Sequence, residues 1–282
     1  MSDEFKVDIA SIPLNRAPGI SAFMRVRNEG EFLEQAIETH LPYFDEFVIV
    51  YNRCTDNSEE IIREFAAKSD KIKAYHYLPH VYPQGSSKHY ELPQDSVHSF
   101  VNYSNYALSK TTKTICTKID ADHIAVAPRI KFLIDGLRKG FLGEKDFLLF
   151  SGINLWREEN KMLVKKDMSF SGITGDIGFF HVGPDIYFIR VEQGETLKIK
   201  YDKSYRVING GLMYFHMKGA KKDRGITNYD LDENPQSYYV PVVESEWQNQ
   251  EALSFNEFVS LHPEFPELKE FCYPNDLIIL DN

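Results

Sequence analysis

The sequence has few cysteines, no excess of positive charge and no long apolar segment, and each absence excludes a class of protein. Its three cysteines, Cys54, Cys116 and Cys272, lie far apart and form no CxxC pair, which argues against a disulfide framework and against a zinc cluster. The chain has 32 lysines and arginines against 42 aspartates and glutamates, a formal charge of −10, whereas nucleic-acid binding needs a basic surface. We therefore expect no nucleic-acid partner.

No segment reaches the roughly 18 consecutive apolar residues that a membrane span requires. The first residues, MSDEFKVDIASIP, lack the basic and apolar regions of a secretory signal. We expect a cytoplasmic protein without a membrane span, for which peripheral membrane association stays open. Hydrophobic residues make up 43% of the 282 residues, so the chain can bury a sizeable core.

Strand-like and helix-like patterns alternate over the first half of the chain. Apolar runs at residues 20–26, 47–51, 72–78 and 114–119 are typical of strands, and apolar positions at helical spacing follow most of them. This alternation predicts an α/β fold with a doubly wound, mostly parallel sheet. We assign residues 1–150 to this half, 151–225 to a second part of the same domain with short strands, and 226–282 to a C-terminal segment that wraps the core.

Polar side chains follow three of the predicted strands, at the edge where open α/β sheets bind their ligands. They are Arg25, Arg27, Asn28 and Glu29 after the first strand, Asp56 after the second, and Asp120 and Asp122 after the strand that ends near Ile119. Alternate residues of an extended chain point the same way, so Asp120 and Asp122 are expected to face one side, with the small Ala121 between them. Carboxylates of this kind suit Mg²⁺ or Mn²⁺.

Residues 20–125 resemble the GT-A glycosyltransferases, especially those of the family-2 type. The resemblance rests on Val26-Arg27-Asn28-Glu29, Thr55-Asp56-Asn57-Ser58, the Asn105-Tyr106-Ala107-Leu108 helix and Lys118-Ile119-Asp120-Ala121-Asp122, which ends in a DxD motif. It implies a GT-A fold, a Rossmann-like architecture with a smaller C-terminal acceptor-side region. It also implies a metal-dependent enzyme that moves a sugar from a nucleotide-sugar donor, by default a UDP-sugar, to a glycan or glycolipid acceptor.

The resemblance implies a role for each matching residue. Asp56 would accept a hydrogen bond from the base, Asp120 would face the ribose or the sugar, and Asp122 would hold Mn²⁺ or Mg²⁺. The donor-binding residues that it implies are Val26, Arg27, Glu29, Asp56, Asn105, Lys118 and Asp120. Many such enzymes complete the metal site with a late histidine, for which His216 is the candidate, and a buried structural histidine is the alternative. The basic residues at 218–224 would suit a departing diphosphate, or form a solvated turn.

An inverting transfer needs a carboxylate that takes the proton of the acceptor hydroxyl. Asp176, in a glycine-flanked loop about fifty residues beyond Asp122, is the preferred candidate. Asp185 and Glu158 or Glu159 are the alternatives.

Two other functions are compatible with the sequence. A non-catalytic nucleotide- or carbohydrate-binding protein would share the fold. A sugar nucleotidyltransferase should carry a glycine-rich phosphate loop after the first strand, but residues 24–31 contain only Gly30. Synthesis of cell-surface polysaccharide or lipopolysaccharide is the expected context by analogy alone.

Overall fold

The computed structural model of the protein describes residues 3–84, 86–172, 178–191, 194–225 and 248–271, without the side chain of Met168. Its strands are β1 (Ala17–Val26), β2 (Glu46–Tyr51), β3 (Ile72–His76), β4 (Lys113–Lys118), β5 (His123–Ala125), β6 (Asp146–Asn154), β7 (Trp156–Glu158), β8 (Lys161–Lys165), β9 (Phe170–Ser171), β10 (Gly178–His181), β11 (Phe188–Val191), β12 (Gly194–Leu197), β13 (Arg206–His216) and β14 (Ala252–Leu253). Its helices are α1 (Leu33–His40), α2 (Ser58–Lys68), α3 (Ser87–Glu91), α4 (Phe100–Ser109), α5 (Ala127–Arg138) and α6 (Phe255–Leu261).

A parallel sheet in the order β3-β2-β1-β4 forms the first half of the fold, as the alternating pattern predicts. All six residues of β2 are buried, because helices cover both faces of the sheet. Met24 and Ile49 pack in the core on one face, whereas Phe23 and Val48 pack in the core on the other. The continuous apolar run of β2 therefore indicated its position in the sheet correctly.

The second half adds strands of both directions to the same sheet. Strand β10 lies antiparallel between β4 and β6, while β13 pairs parallel with β6 and antiparallel with β5. Parallel pairing continues past residue 150, because β6 extends to Asn154 and β13 pairs parallel with it. The sheet therefore runs through the boundary drawn at residue 150.

The described part of the C-terminal segment packs onto this sheet. Strand β14 pairs with β8 in a separate three-stranded sheet with β7, and a capping box between Ser254 and Glu257 starts α6, whose Phe258 is buried. Phe258 belongs to the main core, so the segment contributes to the interior. None of the helices within the described ranges has the length and apolar composition that crossing a bilayer requires.

Candidate active site

A cavity of about 580 Å³ opens at the carboxyl ends of β1, β2 and β4. These strands are parallel, so their ends bring together side chains that are far apart in the sequence. Its lining includes five of the predicted donor-binding residues and both predicted metal ligands, namely Val26, Arg27, Glu29, Lys118, Asp120, Asp122 and His216. The cavity is therefore the candidate active site.

Asp56 and Asn105 do not line this cavity. The carboxylate of Asp56 accepts hydrogen bonds from the backbone N–H groups of Gly30, at 2.9 Å, and Ser58, at 3.0 Å, beside a separate recess. Asn105 is buried in α4 and exchanges two hydrogen bonds with the backbone of Phe188. Both side chains join neighbouring segments, and their contacts with a donor stay predictions.

Asp122, His123 and His216 each offer a ligand atom, and these atoms lie within 4.8 Å of one another. Strand β13 ends at His216 directly opposite His123, the first residue of β5, because the two residues are paired in the ladder. The backbone N–H of Met217 donates to the carbonyl of Asp122 at 2.8 Å, which fixes the turn that carries the carboxylate. The strand pairing thus builds the cluster.

The hydrogen bonds of His216 determine which ring nitrogen faces Asp122. Nδ1 lies 2.8 Å from Oδ1 of Asn154, an acceptor, so Nδ1 carries the proton. Burial lowers the pKa of His216, which leaves the ring neutral at pH 7 with a lone pair on Nε2. Nε2 lies 3.6 Å from Oδ1 of Asp122, so two hydrogen-bond acceptors face each other inside the protein. A cation between them would satisfy both.

His123 is the site residue that the sequence analysis did not identify. Its ring stacks on Tyr214 with the centroids 3.8 Å apart, and burial lowers its pKa to about 3, so it is neutral. Its Nδ1 is buried, and no hydrogen-bond partner for it lies among the described residues. The only signal in the sequence was its position directly after the DxD motif.

Lys221 lies between two carboxylates at this end of the cavity. Its buried ammonium group is 2.8 Å from Oδ2 of Asp122 and also donates to Glu29. Burial raises the pKa of Glu29 to about 7, against the opposing effect of Lys221. Burial also acts to raise the pKa of Asp122, but the adjacent ammonium group of Lys221 outweighs it and holds that pKa below its usual range.

A buried ion pair also lines the cavity. Arg25 of β1 lies 2.7 Å from Glu195 of β12, and their side chains are 8% and 1% exposed. Gln84 donates to the same carboxylate at 2.6 Å, and the guanidinium group of Arg25 stacks over Phe100 at 4.4 Å. The ion pair thus attaches the antiparallel pair of β11 and β12 to the carboxyl end of β1.

The preferred catalytic base, Asp176, lies outside the described residues. Of the alternatives, Asp185 is exposed at 3.6 Å from Lys198, and Glu158 is paired with Lys165 at 2.7 Å. Neither of these, nor Glu159, lines the cavity.

Three solved structures align with the chain at low sequence identity. TarS 1-349 of S. aureus aligns with a TM-score of 0.45 and 13% identity over 88% of this chain and 80% of that chain. Glucosyl-3-phosphoglycerate synthase from Mycobacterium tuberculosis, in complex with Mg²⁺ and UDP, aligns at 0.33 with 20% identity over 52% of this chain and 46% of that chain. The same enzyme with Mn²⁺, UDP-glucose and phosphoglyceric acid aligns at 0.31 with 20% identity, over 54% and 48%. The chain thus spans about half the length of the mycobacterial enzyme.

Comparison with curated proteins gives no significant match. The sequence itself matches one protein family, described as beta-1,4-N-acetylgalactosaminyltransferase (CgtA), over residues 3–202. This match covers more than two thirds of the chain and includes Asp122 and Glu195, while His216 and Lys221 lie beyond it. The predicted glycosyltransferase is thereby confirmed at the level of the family. The chain belongs to the CgtA family of glycosyltransferases.

Proposed function

We propose that this enzyme transfers N-acetylgalactosamine from its UDP-linked form to a hydroxyl group of a glycan or glycolipid acceptor, with inversion at the anomeric carbon. The sugar and the β linkage come from the description of the family. A UDP-sugar of this kind carries its sugar in α linkage, so a β-linked product implies inversion. The observation that carries the proposal is the pair of facing acceptors, Asp122 Oδ1 and His216 Nε2, 3.6 Å apart at the wall of the cavity.

The residues at this wall fit a divalent metal ion. A carboxylate and a neutral imidazole face each other with lone pairs, and the second imidazole, His123, has a buried nitrogen with no partner among the described residues. Asn154 orients His216 as outer hydrogen-bond partners orient metal-binding histidines. Asp122, His216 and His123 would hold Mn²⁺ or Mg²⁺, which supplies positive charge to the diphosphate of the donor.

The remaining residues of the cavity would bind and orient the donor. Lys118 lies 3.4 Å from Asp120, which orients that carboxylate at the carboxyl end of β4. The apolar side chains near Arg25, including Val81 and Phe100, offer a surface for a planar base. We keep Asp176 as the proposed group that takes the proton of the acceptor hydroxyl.

A nucleotidyltransferase is the second candidate for such a cavity. It would attack a phosphorus atom of a nucleoside triphosphate and release pyrophosphate, whereas a glycosyltransferase releases a nucleoside diphosphate. The two reactions therefore differ in their products. The cytoplasmic location and the role in surface polysaccharide or lipopolysaccharide synthesis stay predictions.

The test combines ligand binding with product analysis. We expect UDP to raise the thermal stability of the protein more with Mn²⁺ than with EDTA, because a ligand that binds only the folded state stabilises it. Incubation with UDP-N-acetylgalactosamine and an acceptor should release UDP. Asp122→Asn should abolish both effects with an unchanged circular dichroism spectrum, whereas Asp135→Asn, on the exposed face of α5, should abolish neither.

Two results would contradict the proposal. One is release of pyrophosphate from a nucleoside triphosphate and a sugar phosphate, which would indicate the nucleotidyltransferase. The other is tight UDP binding that is unchanged by EDTA and by Asp122→Asn.

A further inference from the structure

We propose that the ammonium group of Lys221 competes with the divalent metal for Asp122 and contacts the diphosphate of the donor. This inference rests on the proposed function, since it assigns a further residue to the same reaction. It couples metal binding to nucleotide binding, because the same ammonium group contacts the proposed metal ligand Asp122 and the diphosphate.

The contacts of Asp122 divide its carboxylate between two partners. Oδ1 faces Nε2 of His216 at 3.6 Å, whereas Oδ2 lies 2.8 Å from the ammonium group of Lys221. The same ammonium group donates to Glu29, which follows β1. Lys221 therefore bridges the two carboxylates through Oδ2 of Asp122, while Oδ1 of Asp122 faces the lone pair of His216.

The turn that carries Lys221 is firmly attached to the rest of the site. The backbone N–H of Lys221 donates to the carbonyl of Met217 at 3.1 Å, directly after β13. Further along, the guanidinium group of Arg224 stacks over Trp156 at 4.1 Å and donates to the carbonyl of Arg157 at 2.8 Å. The side chain of Lys221 is only 6% exposed. The position of the Lys221 side chain is thus set by the fold, unlike that of an exposed lysine on a flexible surface.

A metal at Asp122 and a diphosphate in the cavity would redistribute these contacts. With a metal held by Asp122, the charge of that carboxylate would be offset, so the ammonium group of Lys221 would be attracted less to it and more to the phosphate oxygens. During transfer the bond from the anomeric carbon to the diphosphate oxygen breaks, and its electron pair stays on that oxygen. The acceptor oxygen forms the new bond, and its proton goes to the base. Lys221 keeps its own proton and donates a hydrogen bond to the new charge on the diphosphate.

This arrangement predicts opposite effects of one substitution on two affinities. Lys221→Met removes a positive charge beside Asp122, so the affinity for Mn²⁺ without nucleotide should rise, by about tenfold or more. The same change removes a donor to the diphosphate, so the affinity for UDP at saturating Mn²⁺ should fall by about 10- to 100-fold. Titration calorimetry measures both affinities without any turnover. Lys221→Arg keeps the charge and should change each affinity far less.

Two further variants separate this role from a structural one. Lys131→Met makes the same charge change on the exposed face of α5, outside the cavity, and should alter neither affinity. If Lys221→Met fails to fold because it leaves Glu29 buried without its partner, the double variant Glu29→Gln/Lys221→Met removes that charge as well. It should bind UDP about 10- to 100-fold more weakly than Glu29→Gln alone.

The outcomes distinguish this inference from the proposed function. If Lys221→Met weakens both affinities in parallel, Lys221 only supports the fold of the site and the inference is wrong. It is equally wrong if neither affinity changes. If the wild-type protein binds neither Mn²⁺ nor UDP, the proposed function itself fails.

Discussion

The ion pair between Arg25 and Glu195 gives the strongest stability prediction. Arg25→Met leaves the carboxylate of Glu195, whose side chain is 1% exposed, with Gln84 as its remaining donor among the residues that the structure describes. The substitution also removes the hydrogen bond to Ser104 at 2.5 Å and the stacking over Phe100. Removing one partner of a buried pair costs about 3–5 kcal/mol, which would lower the melting temperature by about 6–15 °C in a protein of this size.

The double variant Arg25→Met/Glu195→Gln tests whether the buried charge causes this loss. It leaves no unpaired charge, and the new amide can still accept from Gln84, so we expect it to recover about 2 kcal/mol or more of the free energy of unfolding. Urea denaturation, followed by circular dichroism and by tryptophan fluorescence, gives the values if the two probes agree. Arg63→Met, which breaks an exposed pair on α2, is the control and should cost less than about 1 kcal/mol. A loss of under about 1 kcal/mol for Arg25→Met, or a double variant no more stable than the single one, would refute the reasoning.

Three further predictions concern two glycines, a buried histidine and the proposed metal site. In Gly152→Ala the new methyl group would overlap the buried ring of Tyr214, so urea denaturation should show a free energy of unfolding lower by about 1–3 kcal/mol. Gly136→Ala, in an open position of α5, should raise the free energy of unfolding by up to about 1 kcal/mol. Burial lowers the pKa of His40 to about 4, below its unfolded value near 6.5. As the pH falls from 6.5 to 4, the unfolded state therefore takes up the proton first. The free energy of unfolding then drops by up to about 1.4 kcal/mol per pH unit. Urea midpoints of His40→Leu should show a smaller drop over the same interval, and an equal drop would contradict the assignment. Asn154→Ala removes the acceptor that orients His216 and should weaken Mn²⁺ binding by about 10- to 100-fold in titration calorimetry, with the circular dichroism spectrum unchanged.

The first half of the fold could be predicted from sequence because its signals are local. The buried run of β2 and the helical spacing after it are properties of neighbouring residues, and both elements form where the pattern places them. The second half depends on pairing between distant segments. Nothing in the short apolar stretch of β10 indicates that it inserts between β4 and β6, and the glycine pair at 210–211 in β13 reads as a loop although the strand continues through a bulge.

The same distinction applies to the site. The resemblance to GT-A enzymes implied that Asp122 and His216 share one site, and the structure brings their ligand atoms together, while their role as metal ligands stays a prediction. The direction of the Asp56 and Asn105 side chains could not be predicted, since it depends on which backbone groups remain without hydrogen bonds after folding. The proposed role of Lys221 depends on its contact with Glu29, which lies 192 positions away in the sequence. No local sequence pattern indicates such a contact.

The charge of the cavity differs from that of the whole protein, and this difference bears on how an acidic enzyme binds an acidic donor. The chain has a formal charge of −10, which repels a nucleotide diphosphate at a distance. Among the described residues, the charged side chains that line the cavity are the cations Arg25, Arg27, Lys118, Lys218 and Lys221 and the carboxylates Glu29, Asp120, Asp122 and Glu195. With its histidines neutral, this described part of the lining therefore carries one more cation than carboxylates before any metal binds. A divalent ion adds two positive charges, which brings the site close to neutrality with a bound diphosphate. The described lining is thus nearly balanced in charge although the whole chain is strongly acidic, so the proposed metal would have to offset mainly the charge of the diphosphate itself.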